Sequence, residues 1–150
     1  MRVAVIGGGE ITRALLNKPS IFNSIIVSGN CSKKLDYFKT KGFETTTCNK
    51  EAVKKSDLLI FATKPKDLPT VFESINNIDL KDKLPISVVA GVASNVFFNN
   101  LKITKLIRVM PNTPASIGEG MSVWWNKNGS EYDKKICSQF LQNIQQLNKI

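Results

Sequence analysis

Three consecutive glycines, Gly7-Gly8-Gly9, follow the apolar run Val3-Ala4-Val5-Ile6 and open a segment with Ile11, Leu15 and Leu16 at helical spacing. A strand that turns through glycines into a helix is the layout that grips a diphosphate. Gly7 would make the turn, Gly9 would let the backbone come close to the anion, and the free N–H groups at the helix start would hold its charge. The third position of the dinucleotide fingerprint, normally Gly or Ala, is Thr12, with Ala14 just beyond, so the reading predicts a helix set slightly farther out or rotated. The glycines taken alone also suit a strand-to-helix turn with no ligand.

Other candidates follow further along the chain. Ile25-Ile26-Val27 reads as the second strand, and Ser28, Gly29 and Asn30 stand where an NAD-preferring site places a carboxylate on the ribose, about 20 residues after the glycines. With Ser32, Lys33 and Lys34 next in line, a 2′-phosphate meets donors and positive charge, which favours NADP over NAD. The plainer alternative makes Ser32 a helix N-cap and the lysines a solvated surface. The continuous run Asp57 to Ala62 predicts a central strand that stops at Thr63-Lys64-Pro65, a turn facing the same cleft; Lys64 reads either as an anion contact or as an ordinary loop lysine. Pro111-Asn112-Thr113-Pro114 is a stiff extended turn suited to a ligand wall.

Composition narrows the chemistry. The chain of 150 residues contains no histidine, so a histidine general base and the commonest metal ligand are absent, and no metal site is expected. Cys31, Cys48 and Cys137 are odd in number and widely spaced, which argues against a disulfide framework or a zinc site. No catalytic residue can be named; the chemistry must lean on a cofactor. The net charge of +9 favours anionic partners, but the lysines are scattered in pairs without interleaved aromatics, so a nucleic acid is not the expected partner. Trp124-Trp125 reads as packing. No apolar run approaches the roughly 20 residues of a membrane span, and the start of the chain lacks signal-peptide character, which predicts a cytoplasmic location and no membrane partner.

The remaining segments supply the frame. Residues 35–41 continue a second helix that Gly42 ends, residues 43–47 form a short strand, and Thr47 or Asn49 caps a small helix through Val53. A helix over 68–75 with Pro69 in its first turn, a buried strand over 86–90 ending at Gly91, a helix capped by Ser94, a strand over 103–110, an edge strand over 121–125 and an amphipathic helix over 131–147 complete the pattern. Regular alternation implies an α/β Rossmann-type fold: a doubly wound, mostly parallel sheet with helices on both faces, in one domain over residues 1–150.

Five segments resemble the N-terminal NADP-binding domain of pyrroline-5-carboxylate reductase, in the same order and spacing. They are residues 5–9, Asn49-Lys50-Glu51, Ala62-Thr63-Lys64-Pro65, Val89-Ala90-Gly91-Val92, and Arg108-Val109-Met110-Pro111-Asn112-Thr113-Pro114 with Gly118 and Gly120. The resemblance implies reduction of a small cyclic imine to L-proline with NADPH, possible use of NADH, and a homo-oligomer. It assigns Gly7, Gly8, Gly9, Glu10 and Ile11 to the pyrophosphate, and Ser28, Asn30 and Asn49 to the adenosine side with Lys33 nearby. Ala62, Thr63, Lys64, Pro65, Ala90 and Gly91 fall to the nicotinamide end, and Asn112 and Thr113 beside the substrate. Thr12 and Thr63 stand where that family has Ala and Val. The resemblance also implies a helical dimerisation and substrate domain that these 150 residues lack, together with a last strand of the sheet. Two other readings are a stand-alone NADP-binding regulatory module and the cofactor domain of another NADP oxidoreductase, such as one using a deazaflavin.

Overall fold

The computed structural model describes residues 1–17, 22, 24–111 and 122–144. Its elements are β1 (Arg2–Ile6), α1 (Glu10–Leu15), β2 (Ser24–Ser28), α2 (Ser32–Thr40), β3 (Glu44–Thr46), α3 (Asn49–Lys54) and β4 (Leu58–Phe61). A 3₁₀ turn (Pro65–Asp67) then leads into α4 (Leu68–Ile75), followed by β5 (Leu84–Ser87), α5 (Ser94–Asn100), β6 (Leu106–Pro111), β7 (Ser122–Lys127) and α6 (Glu131–Ile144).

The seven strands form one sheet in the order β3-β2-β1-β4-β5-β6-β7. All neighbours are parallel except β6 and β7, which run antiparallel from Leu106↔Lys127 to Pro111↔Ser122. This is the doubly wound, mostly parallel Rossmann-type sheet expected from the sequence. The order reverses between β1 and β4, because β1 leads outward to β2 on one side while the chain returns to β4 on the other.

Alternation along the strands builds two cores. Val3 and Val5 of β1, with Ile60 and Ile86, face α1, α2 and α6 through Leu15, Leu35, Phe38 and Phe140. Ala4, Ile6, Leu59 and Phe61 face α3, α4 and α5 through Val53, Phe72 and Phe97. The rings of Phe61 and Phe72 meet Phe97 edge-on, with centroids 5.4 and 5.3 Å away. Burial on both sides explains why these strands read as unbroken apolar runs.

Several boundaries differ from the sequence reading. Ser32, Asn49 and Ser94 are first helical residues and not caps; Cys31, Cys48 and Ala93 occupy the cap positions, none with a side-chain capping bond. Each helix follows a loop from its strand, and packing of its buried face outweighs capping preference. Strand β5 begins before Pro85, two residues ahead of the expected start. Leu84 N–H bonds the Asp57 carbonyl and Val88 N–H the Phe61 carbonyl, so alternation turns Pro85 nitrogen away from β4. On that side the pairing with β6 begins only at Ile86, and no donor is missed. Likewise β6 starts at Leu106, after a loop that buries Ile103.

Candidate functional site

The candidate residues converge at the carboxyl ends of β1, β2, β4 and β5, around the point where strand order reverses. An open α/β sheet leaves its crevice there.

Gly7 leaves β1 with φ +119, and a Cβ on it would lie 2.5 Å from the Ala62 carbonyl oxygen of the neighbouring strand end. Only glycine fits so close an approach. Its N–H donates to Ser28 carbonyl at 2.7 Å, while Thr12, fully buried on α1, donates its hydroxyl to Gly7 carbonyl. The turn is thereby tied to β2, β4 and α1. Gly8 packs toward Leu35 of α2, but a Cβ on Gly9 would meet no atom within 4 Å. Gly9 is the N-cap of α1 with φ −93, a conformation any residue adopts, so the space above it is not required by the fold. Open space over Gly9, beside the unpaired first N–H groups of α1, fits a diphosphate. Glu10 and Ile11, the first residues of that helix, are exposed at the same place.

At the end of β2, Ser28 is fully buried and its hydroxyl donates to Asn49 Oδ1, part of a half-buried amide at the start of α3. Asn30 and Lys33 are exposed just beyond. Cys31 lies between them in the chain, at the N-cap of α2. The backbone N–H of Lys34 is the main influence lowering its thiol pKa, with Lys33 N–H and both lysine charges adding to it. The same donors and charges are what an anion on this loop would meet.

On the other side of Gly7, Ala62 is buried and its N–H bonds Ile6 carbonyl at 2.8 Å, continuing the β1–β4 ladder into the turn. Thr63 follows half-buried, with its hydroxyl oxygen shielded and without a hydrogen-bond partner. An orphaned buried hydroxyl on this loop also fits a polar group arriving there. Lys64 and Pro65 are exposed, as are Ala90 and Gly91, which sit in the turn after β5 with Gly91 at φ +72. Asn112 and Thr113 lie outside the described residues, as does most of the proline-flanked turn. A cleft of about 280 Å³ lined by Phe22, Ser24, Ile25, Lys41, Gly42, Phe43 and Glu44 lies at the amino ends of β2 and β3, away from all of this. Among the described residues no helix is long and apolar enough to cross a membrane, and no three acidic, cysteine or histidine side chains gather as a metal site.

A mostly parallel sheet carrying a glycine turn at its reversal point, with donors on the flanking strand ends, is the Rossmann-type fold, the arrangement that holds dinucleotides where that fold binds them. The chain belongs to the family described as NADP oxidoreductase, coenzyme F420-dependent, whose model matches residues 2–91. It is 34% identical over 150 residues to a pyrroline-5-carboxylate reductase of Pasteurella multocida (strain Pm70), covering 94% of this chain and 54% of the relative. The corresponding enzyme of Haemophilus influenzae is 34% identical over 147 residues, covering 93% and 54%. The solved structure of a pyrroline-5-carboxylate reductase from Coxiella burnetii has a TM-score of 0.87 at 26% identity, covering 96% of this chain and 56% of that one. The chain thus spans about half the length of the curated relatives it matches.

Proposed function

We propose that this chain binds NADP(H) and forms the cofactor-binding part of a pyrroline-5-carboxylate reductase, which reduces 1-pyrroline-5-carboxylate to L-proline in proline biosynthesis. The observation that carries the reading is the reach of the likeness. The oxidoreductase family model ends at residue 91, whereas the likeness to pyrroline-5-carboxylate reductases covers 94% of the chain. That favours this reading over a deazaflavin-dependent relative sharing only the cofactor domain.

In this proposal Gly7, Gly8, Gly9, Glu10 and Ile11 hold the diphosphate with backbone N–H groups. Asn30, Lys33 and Asn49 hold the adenosine side, with buried Ser28 acting through Asn49, and the exposed Lys33 and Lys34 favour NADPH over NADH. Ala62, Thr63, Lys64, Pro65, Ala90 and Gly91 line the nicotinamide end, with Asn112 and Thr113 toward the imine. When bound, the nicotinamide supplies the hydride; the protein's part is to orient its ring against the imine carbon and to exclude water. The reduction also needs one proton on the imine nitrogen, which the substrate carries in when it binds as its protonated iminium, so no side chain among the described residues is required as an acid or base. A cytoplasmic location and a homo-oligomer belong to the same reading.

The test is a chimera of this chain with the C-terminal half of the Pasteurella multocida relative. NADPH oxidation that depends on added pyrroline-5-carboxylate and yields proline is expected. By itself the chain is expected to bind NADPH in the micromolar range with little or no turnover.

A further inference from the structure

Three side chains from three separate elements form one hydrogen-bonded chain on the adenosine side. Ser28 Oγ at the end of β2 donates to Asn49 Oδ1 on α3. Asn49 Nδ2 donates to Ser74 Oγ on α4 at 3.1 Å, and Ser74 Oγ donates to the Val71 carbonyl, one turn back, at 2.6 Å.

Chemistry dictates the order of the protons. A carbonyl only accepts, so Ser74 commits its single hydroxyl proton to Val71 and can offer Asn49 nothing but a lone pair. Nitrogen Nδ2 must therefore face Ser74, which leaves Oδ1 to face Ser28, whose hydroxyl must donate. An amide whose two ends are otherwise interchangeable is held in one orientation. Ser28, fully buried, has no proton left for a ligand, whereas half-buried Asn49 keeps one Nδ2–H unused by these bonds.

We infer that Ser74, which lies outside the glycine turn and the strand-end loops, is a positioning residue for the adenosine half of the dinucleotide. It locks Asn49 with an N–H toward an oxygen of the adenosine ribose or of the phosphate on it, and this rests on the cofactor reading above. Released from Ser74, the amide is free to turn its own oxygen toward that acceptor, replacing attraction with repulsion. Ser74 is not distinguished by local sequence, and neither bond is legible there, since they join residues 21 and 25 positions apart.

The experiment titrates this chain and its variants with NADPH and with 2′,5′-adenosine diphosphate, which carries the adenosine half alone. Ser74 is exposed on a helix, and alanine is the better helix former, so Ser74→Ala is expected to fold with an unchanged or higher thermal midpoint. It should bind both ligands roughly three- to tenfold more weakly, the loss expected of one hydrogen bond. Ser74→Thr, which keeps the hydroxyl, should restore affinity. In a nitrogen–proton correlation spectrum the Asn49 side-chain amide proton that faces Ser74 should lie away from the free-amide position in the parent chain and move toward it in Ser74→Ala. Unchanged affinity for both ligands in Ser74→Ala, or no rescue by Ser74→Thr, overturns the inference. A folded parent chain that binds neither ligand removes the cofactor reading and this inference with it.

Discussion

The Thr12 hydroxyl donates to the Gly7 carbonyl at 2.5 Å, so a helix side chain closes the glycine turn from within the core. The fingerprint places a small residue here to let helix and strand approach; this chain instead buries a hydroxyl and gives it a partner in the turn itself. Thr12→Val keeps the shape and deletes the donor. It is expected to lower stability by about 0.5–1.5 kcal/mol, read as a lower urea midpoint with an unchanged slope.

Gly7 and Gly9 should separate folding from binding. Gly7→Ala pushes a Cβ against the Ala62 carbonyl at a left-handed φ and should destabilise the fold by roughly 1–3 kcal/mol or more. Gly9→Ala meets no protein atom within 4 Å and should leave thermal unfolding nearly unchanged while weakening NADPH binding. Differential scanning calorimetry beside a fluorescence titration of NADPH distinguishes the two.

How much of this could be read from the sequence depends on how local each signal is. The glycine turn, the buried strands and their alternation with helices were legible, because they rest on neighbouring residues and a single period. The starts of α2, α3 and α5 were not: Ser32, Asn49 and Ser94 look like caps, yet each is already the first helical residue, because residue type at one position does not outweigh packing of the whole helix. Pro85 hid the start of β5, since its harmless place depends on which neighbour it faces. In the site, glycines and strand-end loops could be named in advance, but the partners of Asn49 could not, because three distant elements meet there.

Acid should act through Asp133. Burial alone would raise its carboxyl pKa, but hydrogen bonds from Lys105 and Ser130 outweigh that and hold it below the ordinary 3.8. A carboxylate depressed in the folded state contributes stability that is full above its unfolded value and lost as pH falls through the folded one. Stability should therefore decline below about pH 4. Asp133→Asn should remove part of that slope and cost about 1.5–3 kcal/mol near neutral pH, measured by urea unfolding across pH.

The cysteines give a chemical footprint of the loop after β2. Hydrogen bonding from Lys34 lowers the Cys31 thiol pKa, whereas burial pushes the Cys137 thiol up to about 12. Iodoacetamide should label Cys31 well before Cys137, as mass spectrometry of digests would record. Saturating NADPH should slow labelling at Cys31.

Calorimetric titration with NADPH and NADH, on the parent chain and on Gly9→Asp, tests whether the glycine turn holds the diphosphate. Micromolar NADPH binding, weaker NADH binding, and no heat from a folded Gly9→Asp chain are expected, since the new carboxylate occupies the open space over the turn. A folded parent chain that gives no heat with either nucleotide, or a Gly9→Asp variant that binds NADPH as well as the parent, would contradict that role of the turn.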